Sequence, residues 1–285
     1  MITYLNVKHN TQLRCEFYKV LPDVVSSIGY NSHSADVLGA LIKQGLVASD
    51  EIVIYSALEC FISLIRRKLM AKHLALEIAA EAAPLLLYPN PGILISAATF
   101  FATLSDTLNT AERLVQLYPI IVPYFKKRNK AALDSATSIL TFLRPPLTRS
   151  VYDLILVEFK TFSEEGKPHK VEEFIRVLPK DSSVDVDSID LQEYKDYDRL
   201  LRRIRNAGKF GHHDIQALEL MSVFIADQVR KCATHNAVPV TSFDNRGAAI
   251  DIERVELDFG KVRNQASLEP DQRADTSEPI KLWDK

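Results

Sequence analysis

The chain has 285 residues, 47% of them hydrophobic and 25% charged, an ordinary balance for a soluble globular protein with a sizeable core in one large or two small domains. Its formal net charge of −2 supplies no global attraction to nucleic acid or anionic lipid, so any such contact has to come from a local patch. Nine glycines and few alternating stretches argue against a sheet-rich fold and against a glycine-dependent phosphate loop, leaving a bias to helix.

The opening MITYLNVKHNTQ lacks the basic and apolar regions of a signal peptide, and Ile2 stands where N-myristoylation needs glycine. Three widely separated cysteines, Cys15, Cys60 and Cys232, make no disulfide framework and point to a reducing compartment. The apolar stretches are interrupted, by Glu59 for example, before reaching the roughly 20 residues of a membrane span.

From residue 11 to 29 apolar side chains fall at i, i+4, i+7, i+8 and i+11, namely Leu13, Phe17, Val20, Leu21 and Val24, which is one face of a helix. The same set returns 40 residues later as Val53, Ala57, Cys60, Phe61 and Leu64. After 40 more it is Ile93, Ala97, Phe100, Phe101 and Leu104, and after a further 39 it is Ala132, Ala136, Ile139, Leu140 and Leu143. A second helix precedes each of the last three in fixed phase, marked by Ile42, Ala82 and Ile121 and by Leu46, Leu86 and Phe125. Pro84 and Pro123 correspond within those preceding helices, where a proline is expected to bend them.

Between the two helices of a unit lies a sharp turn. Pro89-Asn90-Pro91-Gly92 shows why: the prolines lose helix hydrogen bonds, the pre-proline Tyr88 and Asn90 are pushed to extended geometry, and Gly92 tolerates positive φ. Ala-Ser-Asp-Glu at 48 to 51 and Lys126-Lys127-Arg128-Asn129 occupy the equivalent places. Two helices per period of about 40 residues describe a HEAT-type array, in which no unit buries its apolar face alone. The expected fold is therefore an all-α HEAT solenoid over 1–160, with Phe17, Leu21, Phe61, Leu64, Phe101, Leu104, Leu140 and Leu143 in its core. Because residues 11 to 29 supply only a second helix, the array starts mid-repeat, and the chain is expected to be a fragment of a longer protein.

A further helix is expected over 150 to 159, then a mobile loop over 161–190, whose KDSSVDVDSID is acidic and short of packing residues. LQEYKDYDRLLRRIRNAG and HHDIQALELMSVFIADQVRKC then form a helical hairpin over 191–235 that packs on the array, with Ile215, Leu218, Met221, Val223 and Phe224 on the packing face. Residues 236–285 read as a disordered linker.

Chemistry-bearing motifs are sparse. Asp258-Phe259-Gly260 spells a kinase magnesium motif but has no glycine-rich loop and no H-R-D to work with. Cys232 and His235, with His212 and His213 upstream, lack the second spaced pair of a zinc site and read as a helix end. His9, His33, His73 and His169 are scattered singly. Arg199, Arg202, Arg203 and Arg205, followed by Lys209, form a basic helix face that can meet an acidic partner, while the bland reading is a solvated face neutralised by Asp196 and Asp198. No interleaved aromatics favour nucleic acid, and no cofactor or catalytic residue is expected.

The ordered segments DVLGALIKQGL, EIVIYSALECF, EIAAEAAPLLLYPNPGILISAATFFATLSDTLNTAERLVQLYPIIVPYF and LRPPLTRSVYDL resemble the HEAT region of the protein-kinase-like regulatory subunit of class III phosphatidylinositol 3-kinase complexes. DIQALELMSVFIADQ, GAAIDIE and the terminal LWDK are similar to its later helix and to the linker before its propeller. The resemblance implies a scaffold that joins the lipid kinase catalytic subunit to autophagy and endosomal-sorting subunits, in support of phosphatidylinositol 3-phosphate production. It implies a cytoplasmic protein, peripheral on endosomal or autophagic membranes only through the complex. None of the family's catalytic residues maps onto this chain. An unrelated HEAT adaptor or transport receptor is the alternative that the repeats alone permit.

Overall fold

Apolar residues three and four apart give each helix one greasy stripe, and the way those stripes are covered determines the architecture. The computed structural model describes residues 10–28, 32–164, 174, 175, 178, 195–206 and 210–236. Its helices are α1 (Thr11–Ile28), α2 (Ser32–Leu46), α3 (Glu51–Arg66), α4 (Lys72–Ala82), α5 (Pro91–Thr107), α6 (Thr110–Glu112), α7 (Tyr118–Ile121), α8 (Ala136–Phe142), α9 (Arg149–Glu164), α10 (Lys195–Asn206) and α11 (His212–Asn236). A π turn (Arg113–Leu117) joins α6 to α7, so the three form one irregular rod. Among the described residues the only β feature is an isolated antiparallel bridge between Phe125 and Leu143.

The second helices of the units stack in one layer, α1 on α3, α3 on α5 and α5 on α8, while α2, α4 and the π turn stack in the other. This is an all-α solenoid. Phe61, Leu64, Phe101 and Leu104 are fully buried between layers, with Phe17, Leu21 and Leu143 nearly so. The rings of Phe61 and Phe100 lie 5.7 Å apart and those of Phe100 and Phe101 5.0 Å apart, in tilted and edge-on geometries that suit aromatic quadrupoles.

Where the turns fall is decided by local chemistry. Tyr88 (φ −66°, ψ 140°) and Asn90 (φ −90°, ψ 119°) are extended as pre-proline residues, Pro91 opens α5, and the Asn90 side chain accepts from Gly92 N at 2.8 Å. The same residue class recurs at the same place in every unit: Asn10 accepts from Leu13 N, Asp50 precedes α3, and Asn129 accepts from Ala131 N. At the far end of α3, Lys68 adopts φ 57°, with Lys68 N bonded to Ile65 O and Leu69 N to Leu64 O, the pairing of a Schellman ending.

The structure corrects several expectations. Pro84 and Pro123 do not bend continuing helices; each sits where the helix tightens to 3₁₀, in Ala83–Leu87 and Val122–Tyr124. Gly92 is helical rather than left-handed. Val20 is 52% exposed, although its counterparts Cys60, Phe100 and Ile139 are buried, because no helix among the described residues stacks on the outer side of α1. Leu140 is only half-buried: Ser135 caps α8 late, so that the helix is short, and α8 is the last member of its layer among the described residues. Of the expected loop over 161–190, residues 161–164 belong to α9, and Phe174, Ile175 and Leu178 are buried, with Phe174 against the Phe159 ring at 5.8 Å. Most of the rest of that segment, and the expected linker over 236–285 beyond Asn236, lie outside the described residues.

Two substitutions test the packing with opposite signs. A Cβ at Gly45 would sit 2.4 Å from Tyr18 Oη and 2.8 Å from Ala57 Cβ, so Gly45→Ala should lose about 1–3 kcal/mol in urea melts. Lys68→Gly should gain up to about 1 kcal/mol by removing the side chain that disfavours left-handed backbone. An unchanged midpoint for Gly45→Ala would contradict the α1–α2–α3 packing described above.

Candidate functional site

The intra-repeat turns line up along one edge of the array, and their polar groups bind unit to unit. Thr11 Oγ1 donates to Asp50 Oδ2 at 2.9 Å, and Asn90 Nδ2 donates to Glu51 Oε2 at 2.6 Å. Arg149, at the start of α9, donates to the other Glu51 oxygen and to Asp153 Oδ2 at 2.9 Å. Burial raises the Glu51 carboxyl, but the hydrogen bonds from Asn90 and Arg149 outweigh it and hold the group below the usual carboxylate range. Lys43 reaches Glu77 and Lys72 reaches Glu112 across the other layer, and both carboxyls are also held low, Glu77 by Lys43 and Glu112 chiefly by the Asn109 backbone amide with Lys72 adding to it.

Along this edge lies α11. Tyr124 Oη donates to Leu220 O at 3.5 Å, the Tyr88 ring meets Phe224 edge-on at 6.1 Å, and Gln228 Nε2 donates to Ala48 O at 2.8 Å. Residues one helical turn apart on α11 thus meet the third, second and first turns of the array. The near end of α11 is locked to the segment before α9. The buried Asp214 carboxylate accepts from Gly211 N and Thr148 N, both at 2.9 Å, while Arg144 donates to Pro123 O and to Gln216. Both α10 and α11 pack against α9.

The basic residues of α10 are placed differently from one another. Arg199 and Arg202 are exposed, Arg203 is half-exposed and pairs with the buried Glu158 of α9, and the Arg205 side chain lies outside the described set. His212 bonds to Gln216, and His213 faces Thr148 and Asp214. The Cys232 and His235 side chains and the whole Asp258-Phe259-Gly260 motif lie outside the described residues. Among those described, no group of three His, Cys, Asp or Glu could hold a metal ion, and no helix is long and apolar enough to cross a membrane. Burial pushes the Cys60 thiol up to about 12, so it stays protonated and is a poor nucleophile at neutral pH. Sequence reasoning missed the hub at Glu51 and the lock at Asp214. The recurring Asx before each second helix was the available signal for the former, and the latter has no periodic signature.

Against known proteins, the chain matches the family described as PIK3R4-like, middle domain, over residues 1–156. It is 33% identical over 101 residues to a protein of Arabidopsis thaliana named serine/threonine-protein kinase VPS15, covering 35% of this chain and 7% of that protein. It is 24% identical over 155 residues to a non-specific serine/threonine protein kinase of Candida glabrata, covering 54% of this chain and 11% of that one. The match thus spans about a tenth of the length of these relatives.

Two outcomes follow from the edge. Asp214→Ala leaves the Gly211 and Thr148 amides without their acceptor, and should speed hydrogen exchange in α11 while leaving that of α3 and α5 nearly unchanged. A lowered Glu51 value means stability that is present above the ordinary carboxylate pKa of 4.5 and is lost as the pH falls below it. Glu51→Gln should therefore reduce the loss of thermal stability on acidification, and an identical acid limb in both proteins would refute the role given to this carboxylate.

Proposed function

The chain belongs to the PIK3R4-like middle-domain family, and from that premise we propose that it is a non-catalytic scaffold segment of the regulatory subunit of a class III phosphatidylinositol 3-kinase complex. In this reading the array over 1–160 and the helices over 191–235 form one stiff body that joins the lipid kinase catalytic subunit to autophagy and endosomal-sorting subunits. It thereby supports phosphatidylinositol 3-phosphate production at endosomal or autophagic membranes. The observation that favours it is the clamping of the array by α11. A helix bound to three successive turns suppresses bending between units, which is what a spacer between partners requires. Arg199 and Arg202, exposed on α10, are the proposed contacts for an acidic partner surface. Kinase activity is assigned to no residue of this chain.

Co-purification with the class III lipid kinase of its own organism tests the reading, with a HEAT array of similar length from an unrelated adaptor as the control. The chain should be recovered well above the control, and Arg199→Glu should lower its recovery severalfold. Equal recovery of the two arrays would leave the unrelated-adaptor reading in its place.

A further inference from the structure

The turn of the third unit differs in charge from its equivalents. Lys126, Lys127, Arg128 and Lys130 are all exposed, whereas the first turn carries Asp50 and Glu51, and the second, Pro89-Asn90-Pro91-Gly92, has no charge. The surrounding stretch is one-sided as well: residues 113 to 149 hold seven Lys or Arg and a single acid, Asp134, in a chain whose net charge is −2. That one acid is engaged, its carboxylate lying 3.9 Å from Arg113. The four turn cations form no ion pair with any described residue.

The base of the turn is fixed. Phe125 is buried and bridges to Leu143, Lys126 N donates to Phe142 O at 2.9 Å, Arg144 N donates to Tyr124 O at 2.9 Å, and Asn129 caps Ala131 N at 3.0 Å. Four like charges are thus held close together at the cost of mutual repulsion, with no internal partner to offset it. Such a cluster is best accommodated by a dense external anion.

We propose that the turn at 126–130 is a direct electrostatic docking point for the anionic headgroups of a phospholipid bilayer. Three features favour a membrane over an acidic peptide. The cations stand exposed on a turn whose flanking Phe125 and Ala132 are buried, so they can meet a broad charged surface without entering a cleft. No aromatic or large aliphatic side chain is exposed at the tip, where a peptide would need an anchor. Three of the four are lysines, flexible point charges suited to laterally mobile phosphates rather than to one bidentate geometry. Four to eight clustered cations are the usual complement for such a surface. The inference goes beyond the scaffold reading, in which membranes are reached only through the complex, and it does not depend on that reading.

Vesicle co-sedimentation of the full chain tests it with no partner present. Binding to phosphatidylcholine vesicles containing phosphatidylserine should exceed binding to pure phosphatidylcholine and should fall steeply with salt. Each cation changed to alanine should weaken partitioning about fivefold, so Lys126→Ala, Lys127→Ala, Arg128→Ala and Lys130→Ala together should lower it at least a hundredfold. Circular dichroism of this variant should match the parent, since the altered side chains touch nothing in the core. The proposal is overturned if anionic vesicles bind no better than neutral ones. It is also overturned if the fourfold variant binds unchanged while Arg199→Ala with Arg202→Ala abolishes binding, or if an oligoglutamate peptide binds the turn and anionic vesicles do not.

Discussion

The α3–α5 seam carries the constraint on which the rest of the molecule rests. Burying a phenylalanine is worth about 1.5–3 kcal/mol, and a tilted aromatic pair such as Phe61–Phe100 adds about 0.5–1.5 more, yet α2, the partner of α3 within its unit, covers α3 only in part. The neighbouring units supply the rest, through α1 and α5. Each second helix is therefore sandwiched between its neighbours, and the cost of failing to be sandwiched shows at the ends of the layer, in exposed Val20 and half-buried Leu140. The same constraint sets the spacing of everything else. Hydrogen bonds between units recur at separations of 39, 39 and 40 residues in Thr11–Asp50, Glu51–Asn90 and Lys72–Glu112, because stacking brings equivalent positions side by side.

A stack held only by neighbour contacts bends easily, since deformation at each seam is independent of the next. The edge formed by α9 and α11 changes that. With Leu220, Phe224 and Gln228 meeting three different turns, a bend at the α3–α5 or the α5–α8 seam has to break a contact along α11. Asp214 and Arg144 fix the end of that helix to the segment leaving α8, so that it cannot slide to follow the bend. Stiffness along the array is thus provided by residues distant in sequence from the repeats themselves.

What could be read in the sequence divides along the same line. Periodic features were legible, because one helical face repeated four times fixes phase: Phe61, Leu64, Phe101 and Leu104 all lie where the period puts them. Position within the array was less legible, because the pattern at Val20 and Leu140 matches its buried counterparts and only the missing neighbour makes the difference. Pro84 and Pro123 were recognised as correspondents but not as helix-tightening signals, since a proline fixes its own φ without stating whether the helix beyond it continues. The lock at Asp214 was invisible. Its partner Thr148 lies 66 residues away, and a buried aspartate in a polar sequence context carries no local mark.

Repetition also separates what the fold requires from what it merely tolerates. Asn10, Asp50, Asn90 and Asn129 keep one residue class in four units because each opens the helical segment after a turn, where a short polar side chain can satisfy a free amide, as those of Asn10, Asn90 and Asn129 do. The three residues before the last three of these obey no such rule: Val47-Ala48-Ser49, Leu87-Tyr88-Pro89 and Lys126-Lys127-Arg128 share neither charge nor size. Backbone stacking therefore does not demand cations in the third turn, and electrostatics penalises placing them together. Residues that differ between equivalent positions, and that carry an energetic penalty where they stand, answer to something outside the array. Among the intra-repeat turns of this chain, that criterion selects the one at 126–130.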